Sequence, residues 1–332
     1  MKKSVLKMYQ ETSDKLKQSN NILIASHIHP DGDAIGSVLA LGNALKSLGK
    51  QVTLYNEHPV PPVYRFLPGN ENMVSTVETV DAFDVVAVLD CSMLERIGTL
   101  AAWIGDLPVI NIDHHLSNQK FGEFRIVEND ASATAEIVYR LLKRMMGVKI
   151  SSDIAYSIYT GIITDTASFS FSNTTSASFA ICGEMVDAGV DPVEVSRKIY
   201  ITYSAERIKF MRMVLDTFAL SENKKVSFMM ATQEMIRKSG MHPDNVGRFV
   251  NYAKHIEGVS ISALALEADS HHEGLPENHT NFHVSLRSDG TIDVARIAAS
   301  FGGGGHHRAA GFNLSTTFRG IREIILGLAE AI

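Results

Sequence analysis

Cysteine is scarce, with Cys91 and Cys182 the only two in 332 residues. They cannot build a disulfide framework, and no CxxC pair offers a structural zinc site. Each reads as a small interior residue. Long apolar runs are missing as well. No stretch approaches the roughly 18 residues of a membrane span, and the opening MKKSVLKMYQETSDKLKQSN lacks the unbroken apolar core of a signal peptide. The expectation is a cytoplasmic protein that does not engage a membrane. Positive charge is in deficit, at 31 Lys and Arg against 37 Asp and Glu. That balance argues against a protein that holds long duplex nucleic acid, because such a face grips phosphates through many basic side chains. A short substrate held in a pocket stays open.

What the chain does have is 45% hydrophobic residues, enough for the cores of two domains at this length. The first half alternates apolar runs with helical patterns. NILIAS (21–26), QVTLYN (51–56), FDVVAVLD (83–90) and LPVINID (107–113) read as strands. Helical spacing follows in 34–50, where Ile35, Val38, Leu41, Leu45 and Leu48 share a face, and again over 131–146. Unbroken apolar strands alternating with helices predict a parallel sheet covered on both faces. Residues 191–220 read as a charged helical connection. A second α/β region follows, with strands near KVSFMMA, VSISALALEA and NFHVSLRS and helices around 243–256, 292–301 and 318–331. The histidines of DSHHEGLPENHT (269–280) sit among Gly, Pro and Asn and read as an exposed loop.

Acids and imidazoles gather at the strand ends. The first strand ends at His27, followed by His29, Asp31 and Asp33; the third ends at Asp90 and the fourth at Asp113, His114 and His115. One such Asp is adequately explained as the cap of the next helix. Several together are not, because open α/β sheets bind ligands beyond the carboxyl ends of their strands. Asp165 lies in an apolar run, where a carboxylate needs a partner or a metal. His27, Asp31, Asp33, Asp90, His114 and Asp165 suffice for two divalent ions with one shared carboxylate. Such a donor set suits Mn²⁺ or Mg²⁺, with Fe or Zn possible. Two ions about 3.5–4 Å apart would clamp a phosphoryl group.

The second concentration of chemistry is FGGGGHHRAAGF (301–312). Its glycines free the backbone to approach a ligand and aim N–H groups at an anion. His306, His307 and Arg308 follow at once, and Arg287 stands nearby in sequence. The spacing does not fit GxGxxG, and no GKS or GKT of a P-loop occurs, which counts against a nicotinamide-dependent oxidoreductase.

SHIHPDGDAIGS, VLDCS, NIDHHLSN and GIITDTASFSF resemble the four catalytic motifs of the DHH phosphoesterases, named for the triplet at 113–115. SLRSDGTIDVARIAASFGGGGHHRAAGF resembles the accompanying DHHA1 domain. The likeness spans nearly the whole chain. It implies an α/β catalytic domain over 1–190, a helical linker over 191–222 and a smaller α/β substrate-binding domain over 223–332, with the active site between the domains. By position it implies one ion on His27, Asp31 and Asp90 and another on Asp33, Asp90, His114 and Asp165, bridged by Asp90. His115 would touch the scissile phosphate or assist the leaving oxygen, and Asp113 would support it. His29 stands where many relatives carry Asn. Arg287 with Gly303, Gly304, Gly305 and His306 would grip the substrate's terminal phosphate.

Within that family the layout, without membrane or sensor domains, resembles the nanoRNase/pAp phosphatases. These degrade very short single-stranded RNA to mononucleotides and dephosphorylate 3′-phosphoadenosine 5′-phosphate (pAp). The alternative is a phosphodiesterase of cyclic di-AMP or of linear dinucleotides such as pApA and pGpG. A non-catalytic relative of the same fold is disfavoured by the complete set of acids and imidazoles. A homodimer is implied by the resemblance alone.

Overall fold

The computed structural model describes residues 3–201, 203–242, 246, 249–254, 256–268, 276 and 278–332. His271, His272 and most of the polar stretch 269–280, with parts of the helix expected over 243–256, lie outside the described residues. The chain divides into two compact units, Met1–Thr202 and Tyr203–Ile332.

The first unit runs α1 (Lys3–Gln18), β1 (Asn21–Ser26), α2 (Gly32–Ser47), β2 (Gln51–Tyr55), β3 (Met73–Val74), β4 (Val85–Leu89), β5 (Val109–Asp113), β6 (Phe124–Val127), α3 (Thr134–Arg140), α4 (Ser152–Asp165), α5 (Ser176–Asp187) and α6 (Pro192–Ser196). Its six strands are all parallel, in the order β3-β2-β1-β4-β5-β6. Alternate residues leave each strand on opposite faces. Ile22 and Ile24 of β1 join a core built by α1 to α5, whereas Leu23 and Ala25 face a smaller cluster closed by Ile97, Leu100 and Ile104. Helical cover is therefore uneven. The second face is closed by the 3₁₀ segment Leu94–Ala102 and the residues after it, with no α-helix among its core members.

Strand order reverses between β1 and β4, the crevice position of an open α/β sheet. Helix crossings bring further residues to it. A Cβ on Gly36 of α2 would come within 2.4 Å of the Ser157 carbonyl of α4. One on Gly161 of α4 would meet Ala135 of α3 at 2.5 Å and Asp33 at 2.9 Å. Only bare backbone lets these three helices approach so closely. The helix expected over 131–146 is shorter than its pattern. Residues 131 and 132 bend and Ala133 is extended, and a π-helical turn, Leu141–Met145, replaces the last turn.

The second unit runs α7 (Ala205–Leu215), β7 (Ala219–Leu220), β8 (Val226–Ala231), α8 (Gln233–Ser239), α9 (Val250–Lys254), β9 (Ile261–Glu267), β10 (Thr280–Ser288), α10 (Val294–Ser300), β11 (Gly304–His306), β12 (Ala309–Thr316) and α11 (Phe318–Gly327). Its sheet is mixed, in the order β11-β12-β10-β9-β8-β7, with β8 and β9 parallel and the rest antiparallel. Phe282, Val284 and Leu286 of β10 pack with α10 and α11 on one face. On the other, α7, α8 and α9 cover Met229 of β8 and Leu264 of β9. Among the described residues α9 also reaches β10 from that side, and no helix packs over β12 and β11 there.

Candidate metal centre

Each acid and imidazole of the first unit's site is aimed by its own backbone. Asp90 follows β4 with φ +59°, a left-handed conformation that Asp tolerates better than most residues. Its side chain is almost wholly buried. Oδ2 lies 3.6 Å from His27 Nε2 and Oδ1 lies 3.7 Å from His114 Nε2, so the two oxygens face different imidazoles. His27 Nε2 also lies 3.9 Å from Asp31, and His114 Nε2 lies 3.7 Å from Asp165. These separations exceed a hydrogen bond. They match two donors on one ion, which at about 2.1 Å each sit roughly 3–4 Å apart.

Backbone carbonyls set both rings. His27 Nδ1 bonds Ile28 O at 2.9 Å and His114 Nδ1 bonds Ala131 O at 3.3 Å. A carbonyl only accepts, so each Nδ1 carries the hydrogen and each Nε2 keeps its lone pair for the site.

Helix capping divides differently from the simple reading of the sequence. Asp31, not Asp33, caps α2, its Oδ1 accepting from Asp33 N and Ala34 N. Asp33 instead caps α3, accepting from Thr134 N at 2.6 Å and Ala135 N at 2.9 Å, a place the α3 N-cap residue Ala133 cannot fill. Thr134 Oγ1 donates to Asp90 Oδ1 at 2.9 Å. Asp165, the last residue of α4, is steadied by Asn173, whose Nδ2 donates to its Oδ2 at 3.0 Å. The chain then turns away through three consecutive left-handed residues, Ala167, Ser168 and Phe169. Glu136 ties back the non-helical segment before α3 by accepting from Ser132 N and Oγ.

Electrostatics show what the cluster wants. Burial would raise the Asp90 carboxyl, but His27, His115 and His114 outweigh it and hold it at about 2. Asp33 is driven well above the carboxylate range by burial and by Asp90, Asp165 and Asp31. Asp165 is pushed up to about 6 by burial, with His114 opposing and Asp90 adding. Carboxylates crowded this way call for positive charge, and two sets meet the spacing for an ion: His27, Asp31 and Asp90, and Asp33, His114 and Asp165. A third set, Asp90, His114 and His115, overlaps them. The residues present therefore fit divalent metal.

His115 stands slightly apart. Its Nδ1 donates to Asp113 Oδ1 at 2.7 Å, and the buried Asp113 accepts a second bond from Asn118 Nδ2. The bond to Asp113 outweighs burial and lifts the imidazole to about 9, and the side chain is partly exposed. His29 points elsewhere, its Nδ1 pairing with His58 Nδ1 at 3.1 Å.

In the second unit a hollow of about 400 Å³ lies on the uncovered sheet face, lined among others by Arg287, Gly304 and Gly305. Gly303 and His306 are not in its lining. The glycine tract is built into regular structure. Gly302 and Gly303 donate back to Ala299 O and Ala298 O, closing α10, and Gly304–His306 form an edge strand against β12. Glycine is required there because a Cβ on Gly303 would strike Gly311 O at 2.2 Å. His307 bonds Gly290 O and is structural.

Thr134, Asn173 and Asn118 escaped the sequence reading. Asn118 lies in the quoted NIDHHLSN motif, but the partners of the other two become visible only when α3 and α4 are placed.

The DHH family, N-terminal domain, matches residues 21–162, and the DHHA1 domain matches residues 223–325. The chain is 33% identical over 293 residues to the bifunctional oligoribonuclease and PAP phosphatase NrnA of Thermus thermophilus, covering 88% of this chain and 84% of that protein. It is 25% identical to the protein of the same name from Bacillus subtilis, covering 89% and 90%. The crystal structure of an exopolyphosphatase-related protein from Bacteroides fragilis superposes with a TM-score of 0.86 at 29% identity, covering 97% and 96% of the two chains. RecJ of Thermus thermophilus, solved with Mn²⁺, shares the fold at a TM-score of 0.54 and 14% identity, covering 99% of this chain and 55% of that one. The chain belongs to the DHH phosphoesterase family and carries its DHHA1 domain.

Proposed function

We propose that the protein is a hydrolase using two divalent ions, Mn²⁺ or Mg²⁺, to cleave short single-stranded oligoribonucleotides to mononucleotides and pAp to AMP. The observation that carries this reading is Asp90, which offers one carboxylate oxygen to each of two donor sets. His27, Asp31 and Asp90 would hold one ion, and Asp33, Asp90, His114 and Asp165 the other. Bound there, the ions supply Lewis-acid charge and an activated water for attack at phosphorus. His115 holds a proton at Nε2 for a phosphate or leaving oxygen, oriented through Nδ1 by Asp113. Thr134 and Asn173 keep Asp90 and Asp165 in place.

Arg287 supports a phosphate-binding role for the second unit. Its guanidinium is half-buried, donates to Leu286 O and pairs with no carboxylate among the described residues. Together with Gly304 and Gly305 it would hold a terminal phosphate, with Gly303 and His306 shaping the edge strand beside them. The net charge of −6 and the absence, among the described residues, of a helix able to cross a membrane accord with short cytoplasmic substrates. The relatives named as oligoribonuclease and PAP phosphatase point the same way.

The test is product release from pAp, an RNA trimer, pApA and cyclic di-AMP, with Mn²⁺ and with chelator. Cleavage of pAp and the trimer, lost on chelation, is the expected outcome. Activity confined to the dinucleotides would transfer the protein to dinucleotide turnover, and activity that survives chelation would refute metal-dependent hydrolysis.

A further inference from the structure

The uncovered sheet face carries more than a phosphate grip. His283, Ser285 and Arg287 leave β10 on the same side, opposite Asn313, Gly311 and Ala309 of β12. All but Asn313 line the hollow. His283 and Arg287 stand four residues apart, about 13 Å along the strand. A phosphate held at the Arg287 end therefore directs the rest of a nucleotide along the floor of small residues toward His283.

The His283 ring is set for contact. Its Nδ1 meets Asn313 Oδ1 at 2.9 Å. An amide oxygen only accepts, so Nδ1 carries the hydrogen and Nε2 presents a lone pair. The ring leans over Gly311, where a Cβ would come within 3.4 Å of both Cε1 and Nε2. That glycine leaves the Nε2 edge open toward Ser285 and the hollow.

We propose that His283, positioned by Asn313, is a specificity-determining residue that accepts a hydrogen bond from the nucleoside of the bound nucleotide. The donor is the sugar 2′-hydroxyl or a base amino group. This rests on the reading of the same hollow as the phosphate-binding surface.

Equilibrium binding to the full chain, with no divalent ion added so that nothing turns over, compares pAp, its 2′-deoxy form and its inosine counterpart. Affinity should fall about tenfold for whichever probe lacks the donor, the effect of one hydrogen bond. The affected probe identifies the sugar or the base as its source. His283→Phe keeps a ring without Nε2 and should bind all three within about twofold of one another. Asn313→Leu, which cannot accept from Nδ1, should lose the discrimination. Arg287→Ala should weaken all three alike. If it weakens none, the phosphate-binding reading fails while the His283 result is judged separately. The His283 assignment is overturned if the unaltered chain binds the probes equally or not at all, or if His283→Phe discriminates as before.

Discussion

Asp113 shows how much of the site works through a second residue. It is fully buried, touches His115 at 2.7 Å and is held in turn by Asn118. Asp113→Asn keeps the shape but removes the carboxylate that fixes the Nδ1 proton. Losing such a support should lower kcat about 10–100-fold with a smaller change in KM, measured on the best substrate of the panel. Asp165 makes the opposite point. It crowds Asp90 and Asp33, so Asp165→Asn should stabilise the chelator-treated protein by about 1 kcal/mol, roughly 2–4 °C in melting temperature. The same variant should be inactive with metal. A lower melting temperature would show that the carboxylates are not in conflict. His27, Asp90, His114 and His115 were legible because each ends or follows an apolar strand, and strand tips are where such sheets bind ligands. The caps were legible only in part. Asp31 caps the next helix, as a strand-end Asp is expected to, whereas the partner of Asp33 is the start of α3, about a hundred residues away.

Elements meet at the site because α2, α3 and α4 cross on glycines. Gly36→Ala sets a methyl against the Ser157 carbonyl and should cost about 1–3 kcal/mol in denaturant unfolding. It should also reduce metal affinity by shifting Asp33, which α2 carries, relative to Asp165 at the end of α4. Unchanged stability would mean that the helices slide apart freely. Helical periodicity located α2 but could not foresee this crossing, since a glycine at a helix contact looks in sequence like any other helix glycine. Helix α3 was over-extended for a related reason. Residues 131–133 have helix-compatible composition, yet Ala131 O holds His114 and Ser132 is fastened by Glu136, which keeps the segment out of the helix. Tertiary demand overrode local preference there. The glycine tract was recognised as special from composition, but its strand pairing with β12 depended on a neighbour that composition does not reveal.

At the scale of the whole molecule, two units with separate cores carry two kinds of chemistry: clustered acids and imidazoles in one, a hollow on a sheet face with a guanidinium that meets no carboxylate among the described residues in the other. The alternation of strands and helices and the two motif blocks made this division readable from the sequence. The uneven cover of the first sheet was not readable, because buried parallel strands are apolar on both faces whatever packs there. Everything proposed for hydrolysis turns on Asp90 serving two ions at once. The direct measurement is a Mn²⁺ titration followed by electron paramagnetic resonance, on the unaltered chain and on Asp90→Ala, with turnover recorded alongside. A shared carboxylate predicts a spin-coupled pair as the second equivalent binds, with the coupling lost and turnover down at least about 10³-fold in Asp90→Ala. Full activity with one ion, two uncoupled ions at full activity, or near-normal turnover in Asp90→Ala would contradict it.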